Sequence, residues 1–182
     1  MNFPKEAGVT ASDEWFGELI GQSLFSGVIQ ECIDQLRRLD GIKKALFYGK
    51  VERPRTPYNR NLNELPNQIS AQLKMPPEAV QDLIHGIIGV ATEAGEMLEA
   101  LQMILCGGDL DNVNLLEESG DIKWYLALLS ELPNPAGFVW GEDERRCIAK
   151  LRKRFGDKFT AHDAINRNLD AERALLESGG EA

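Results

Sequence analysis

Histidine is almost absent from this 182-residue chain, with two residues in all, and cysteine is scarce, with three. Cys32, Cys106 and Cys147 form no Cys-x-x-Cys pair, and their odd number gives no disulfide framework, so they read as packed or half-exposed thiols in a reducing compartment. With only His85 and His162, zinc or triad chemistry has little material. No uninterrupted apolar run reaches membrane-spanning length, and Met1 to Glu14 lacks the basic-then-apolar order of a signal peptide. Basic residues are the minority, 20 against 29 acidic, for a net charge of -9, which disfavours a duplex nucleic-acid surface. Strand alternation never lasts beyond a few residues, and no internal repeat is present. What remains, with 43% hydrophobic residues, predicts a soluble cytoplasmic protein of one all-α domain over 1–182.

Helical spacing organises the chain. Asp13 to Leu39 carries apolar residues at helical intervals, with Gly21 and Gly27 weakening it. Gly41 then separates a shorter piece, Ile42 to Tyr48. Gly49 to Pro77 contains Pro54, Pro57, Pro66, Pro76 and Pro77 and reads as a long connection, with one helical turn near Ile69 to Leu73. Pro76-Pro77 open the next helix, whose stripe is Val80, Ile84, Ile87, Ala91, Ala94, Leu98, Leu101 and Leu105. Gly107-Gly108 end it. Asp109 or Asp111 caps a helix over Asn112 to Glu131, with Leu115, Ile122, Leu126 and Leu129 facing inward. Glu142 to Phe155 is a basic amphipathic helix. Thr160-x-x-Asp163 forms a capping box for a last helix reaching about Leu176, and Ser178 to Ala182 is a frayed tail. The expected architecture is a helical bundle: an N-terminal helix and Pro-rich connection in 1–75, then a core over 76–177.

Two acidic signatures stand out, Glu93-Ala94-Gly95-Glu96 and Glu118-Ser119-Gly120-Asp121. Each puts two carboxylates three residues apart on one helix face, and the Gly-Gly turn lets the helices fold back on each other. Four convergent carboxylates must either hold protons unevenly or be neutralised by hard divalent cations. Against this stands the ordinary reading of a solvated acidic face. Tyr125 lies one turn past Asp121 and Trp124 one step around, where an aromatic could stack a nucleobase or simply pack in the core. His85 lies roughly 16 Å along the helix from Glu96, too far to share a metal with it, and reads as a hydrogen-bonded structural group. The basic set Lys150, Arg152, Lys153, Arg154 and Lys158 either lines a solvated helix or holds phosphate oxygens. Asn166 and Arg167 could add polar contacts.

These residues resemble a known family, the MazG-like all-α nucleotide pyrophosphohydrolases of the small phage or bacterial type. The resemblance rests on Glu93-x-x-Glu96 followed by Glu118-x-x-Asp121, and on the words His85-Gly-Ile-Ile-Gly-Val-Ala-Thr-Glu-Ala-Gly-Glu, Val113-Asn-Leu-Leu-Glu-Glu-Ser-Gly-Asp-Ile-Lys-Trp-Tyr and Lys150-Leu-Arg-Lys-Arg-Phe-Gly-Asp-Lys-Phe-Thr. It covers about Pro76 to Glu177. It departs at Thr92, where some members carry a further acid, and at Asn168, where many carry Asp. The resemblance implies Mg2+-dependent (or Mn2+-dependent) hydrolysis of a nucleoside triphosphate, a dNTP by preference, to the monophosphate and pyrophosphate. It makes Glu93, Glu96, Glu118 and Asp121 metal ligands and Glu117 a neighbouring acid or base. Lys150, Arg154, Lys158, Asn166 and Arg167 become phosphate or sugar contacts, with Trp124 and Tyr125 beside the base. It also implies a homodimer or larger homo-oligomer. Two rivals remain: a non-catalytic helical interaction module, and a related pyrophosphatase acting on phosphoribosyl-ATP or an alarmone nucleotide.

Overall fold

Caps and breakers set the helix ends in the computed structural model, which describes residues 2–50, 62–133, 139–156 and 158–179. Among these residues are eight α-helices and no strand, the all-α fold expected from the sequence. They are α1 Phe3–Val9, α2 Gln22–Tyr48, α3 Leu65–Leu73, α4 Pro77–Leu105, α5 Asn112–Ser130, α6 Glu142–Phe155, α7 Ala161–Ile165 and α8 Leu169–Glu177. Pro77 occupies the first turn of α4, where a missing N–H costs nothing. The Asp111 carboxylate accepts from the backbone N–H of Val113 and Asn114, at 3.0 and 3.1 Å, and so opens α5. Gly49 closes α2 with φ +67°, a left-handed conformation that favours glycine.

Three boundaries differ from those read in the sequence. The first long helix starts at Gln22 rather than Asp13 and runs unbroken through Gly41 to Tyr48. A single 3-10 turn, Gly17–Leu19, precedes it. Ile29, Ile33, Leu36, Asp40, Lys43 and Phe47 recur at alternating intervals of four and three, a continuous seam on one face. Tertiary packing along such a seam outweighs the roughly 1 kcal/mol penalty of an interior glycine. The last helix is divided into α7 and α8, because Asn166 ends the first and the Asn168 side chain caps the second by accepting from Ala171 N–H at 3.0 Å. A short N-terminal helix, α1, was not expected. Within the Pro-rich connection, α3 is longer than the single turn expected, and residues 51–61 lie outside the described residues.

The chain forms two compact units, Ile20–Gly137 and Met1–Leu19 with Phe138–Ala182. In the first, α4 packs between α2 and α5, and α3 packs on α4. Its apolar core joins Met75, Ala79, Val80 and Leu132, with Ile69, Leu73 and Leu129 around it. In the second, α6 contacts α1, α7 and α8, and Ile148, Phe155 and Leu175 are buried. No helix among the described residues is long and apolar enough to cross a membrane.

The expected stripe of α4 is buried at its start, with Val80 fully buried and Ile84 packed on the core, but farther along the helix buries its small-residue side instead. Gly86, Gly89, Thr92, Glu93 and Gly95 are buried, whereas Ile87 and Ala94 of the expected stripe are exposed, Ile87 by 55%. A Cβ at position 89 would lie 2.2 Å from the Tyr125 ring, and one at 95 would lie 2.8 Å from Leu36 Cβ. Glycine at these positions lets α5 and α2 approach closely enough to shut the polar residues between them in.

Candidate metal centre

The small-residue face of α4 determines which side chains meet. The line Gly86, Gly89, Glu93 looks toward α5, where Leu115, Glu118, Ile122, Tyr125 and Leu129 form the answering seam at intervals of three and four. Both seams carry a glutamate at a position that would ordinarily be apolar. Glu93 is 6% exposed and Glu118 4% exposed. With Asp121, one turn on and exposed, they form a group whose carboxylate oxygens all lie within 4.8 Å of one another, and this group could hold a metal ion.

The electrostatics are those of a crowded acidic site. Burial pushes the Glu118 carboxyl up to about 7, and the neighbouring charges of Glu96, Glu93 and Asp121 add to the shift. Glu96 is half-buried and lies outside the three-carboxylate group. Burial, followed by Glu93, Asp40 and Glu99, also raises its pKa, while Lys44 opposes the shift. Glu117, the other acid singled out in the sequence, is exposed on α5.

A lysine and an aspartate from α2 complete the cluster, and neither was anticipated. Lys43 is 3% exposed. Its Nζ donates to Glu93 Oε1 at 2.6 Å and to Thr92 Oγ1 at 2.8 Å, and it lies 5.1 Å from the centre of the Tyr125 ring. Thr92 Oγ1 in turn donates to the Gly89 carbonyl at 3.0 Å. Asp40 Oδ1 sits 3.3 Å from Lys43 Nζ as an ion pair, but it is buried without a hydrogen-bond partner. The distance satisfies the charges while the angle does not make a hydrogen bond. The other Asp40 oxygen pairs with Lys44. Burial works against the Lys43 charge, yet its bonds to Glu93 and Tyr125 hold the pKa above the ordinary lysine value. The signal in the sequence was Asp40-x-x-Lys43 standing within the α2 seam, at positions where leucine or isoleucine belongs.

Aromatic side chains border the acidic group. His85 stacks on Phe47 with ring centres 4.0 Å apart, and its Nε2 is 3.4 Å from the Tyr48 hydroxyl. Burial, then the Lys43 charge, lowers the His85 pKa, so the ring is neutral at pH 7. This matches its reading as a structural group. Trp124 is exposed and meets Tyr125 edge-on at 4.9 Å. Tyr125 itself is buried against Gly89, so of the two expected base-side residues only Trp124 presents its ring to solvent.

The five expected phosphate or sugar contacts belong to the other unit. Arg154 grips Glu172 through Nε and Nη2, the first at 2.8 Å, and Arg167 Nη2 joins the same carboxylate at 2.8 Å. Lys158 pairs with Asp13 at 2.9 Å, both exposed. The Asn166 side chain donates to the His162 carbonyl at 2.9 Å. Lys150 is half-buried on α6. Comparison of the chain with protein-family models, with curated proteins and with solved structures finds no match in any of the three.

Proposed function

We propose that the chain hydrolyses a nucleoside triphosphate, a deoxynucleotide by preference, to the monophosphate and pyrophosphate, using Mg2+ or Mn2+ held at Glu93, Glu118 and Asp121. The observation that carries this reading is the meeting of those three carboxylates within 4.8 Å, two of them buried. The donor set fits the group: all ligands are hard oxygens, as magnesium and manganese prefer, and the cluster carries more negative charge than Lys43 and Lys44 offset. The family resemblance supplies the reaction class.

A cation held by Glu93, Glu118 and Asp121 would supply charge neutralisation for the phosphate and a lowered barrier to deprotonating water. The protein's own groups do the rest. Glu93 and Glu118 hold their oxygens fixed because both sit in packed helix seams. Glu96, made a stronger base by burial and its acidic neighbours, accepts the proton of the attacking water as its ionised carboxylate. The water oxygen joins one phosphorus as the bridging oxygen between the α and β phosphates departs with the other. Trp124 offers a ring face to the base. Exposed Ile87 and Ala94 on α4 support association with a second copy of the chain.

Pyrophosphate release from the eight common nucleotides, with and without Mg2+, tests the reading. Glu96→Gln and Asp121→Asn are expected to abolish turnover with helicity intact. Phosphate as the released product would refute the bond assignment. Absence of any product would favour the interaction module, and turnover only of phosphoribosyl-ATP or an alarmone would favour the related pyrophosphatase.

A further inference from the structure

We propose that Lys43 is a built-in cation of the carboxylate cluster, permanently filling the space between Asp40 and Glu93 and limiting the site to a single divalent ion per chain. This deepens the metal-site reading above and rests on it. Three carboxylates converge here, Glu93 on α4 with Glu118 and Asp121 on α5, and Asp40 on α2 reaches Glu93 through the Lys43 ammonium. The Lys43 ammonium enters from the α2 side, donates to Glu93 Oε1 at 2.6 Å and forms an ion pair with Asp40 Oδ1 at 3.3 Å. A divalent ion placed between Asp40 and Glu93 would take the space that Nζ holds.

The ammonium is not a mobile surface group that could step aside. It is buried, its stem lies in the α2 seam between Leu36 and Phe47, and it also donates to Thr92 Oγ1 at 2.8 Å. That threonine is fixed by its own bond to Gly89, so the amine has a constructed seat rather than a chance contact. The Tyr125 ring covers another side of it at 5.1 Å. The remaining carboxylates, Glu118 and Asp121 with the shared Glu93, lie toward α5 and form the open cation position. Lys43 is thus a positioning residue: it fixes Glu93 and neutralises the α2 side of the cluster, while a single exchangeable ion serves the α5 side.

The test is a count of Mn2+ bound to the full-length chain, read as loss of the free-ion electron paramagnetic resonance signal, with only sites abolished by Glu93→Gln, the carboxylate shared by both sides, scored. Wild type and Lys43→Arg are expected to bind one ion per chain. Lys43→Met, which keeps the length and removes the charge, is expected to bind two, and to show a larger rise in melting temperature with Mn2+ than wild type because the added ion replaces the lost ammonium. A role confined to packing would lower the stability of Lys43→Met without changing the count. Two ions per wild-type chain would overturn the proposal even if Lys43→Met fails to fold, as would a Lys43→Met chain that folds and still binds one. No ion bound to wild type would refute the metal site itself, a result distinct from either count.

Discussion

Two glutamates, one in each compact unit, are buried to nearly the same extent and respond in opposite ways. Glu172 on α8 is 5% exposed and Glu118 on α5 is 4% exposed. Hydrogen bonds from Arg154 and Arg167 push the Glu172 carboxyl down to about 2. Burial and the neighbouring carboxylates push Glu118 up to about 7. Burial by itself therefore does not identify a functional acid. What separates the two is whether the protein supplies the counter-charge. Around Glu172 two guanidiniums complete the site, and the arginines expected to hold phosphate are occupied there. Around Glu118 the protein adds further acids, leaving a charge deficit suited to an external cation.

The largest expected effect breaks this comparison at Glu172. Glu172→Gln leaves two guanidiniums without their carboxylate and should cost on the order of 3 kcal/mol in denaturant unfolding. The corresponding change at the other glutamate should have the opposite sign. Glu118→Gln removes a repelled charge and should stabilise the metal-free protein by about 1 kcal/mol. If both variants lose stability alike, the two sites are not different in kind.

The pH dependence sharpens the contrast. Glu118 has a folded pKa raised above its ordinary carboxylate value, so the folded chain binds the extra proton between about 4.5 and 7. Stability from this group is therefore lost as pH rises through that window. Glu172 is depressed, so its contribution is present above about 4.5 and is lost as pH falls toward 2. Melting of the metal-free protein should show both limbs, and saturating Mg2+ should remove only the neutral one, because the cation binds the ionised carboxylates. The smallest expected effect is at Trp124. With its ring exposed, Trp124→Ala should leave stability within about 0.5 kcal/mol while raising KM for a nucleotide severalfold in the pyrophosphate-release assay.

Local spacing carried much of this account. The paired acids of α4 and α5 are visible as two repeats three residues apart, and the Asp111, Thr160 and Pro77 boundaries follow from cap chemistry. The burial pattern of α4 was not legible, because its bulky stripe is the stronger periodic signal. Past Val80 and Ile84 the helix buries its glycine side, where backbones approach most closely, and only the three-dimensional fit of Tyr125 and Leu36 against Gly89 and Gly95 reveals this. Asp40 and Lys43 were hidden by Gly41, which suggested a break where the helix continues. The seam from Ile29 to Phe47 could have exposed them, since two charged residues stand at its apolar intervals. In the Arg154–Glu172–Arg167 cluster, Arg154 comes from α6, 18 residues before Glu172, and Arg167 from the turn between α7 and α8, a grouping no helical period marks, so its arginines resembled unattached phosphate ligands.

The central claim is that the α4–α5 carboxylates await a divalent cation whereas the α6–α8 ion pair is complete without one. Hydrogen exchange followed peptide by peptide, with and without Mg2+ or Mn2+ at pH 7, reads both places in the same sample. The account predicts slower exchange on adding metal in peptides spanning 92–97 and 117–126, no change across 169–177, and loss of the slowing in Glu118→Gln. Unchanged exchange in the first two peptides of the wild-type protein at saturating metal, or slowing that persists in Glu118→Gln, would contradict it.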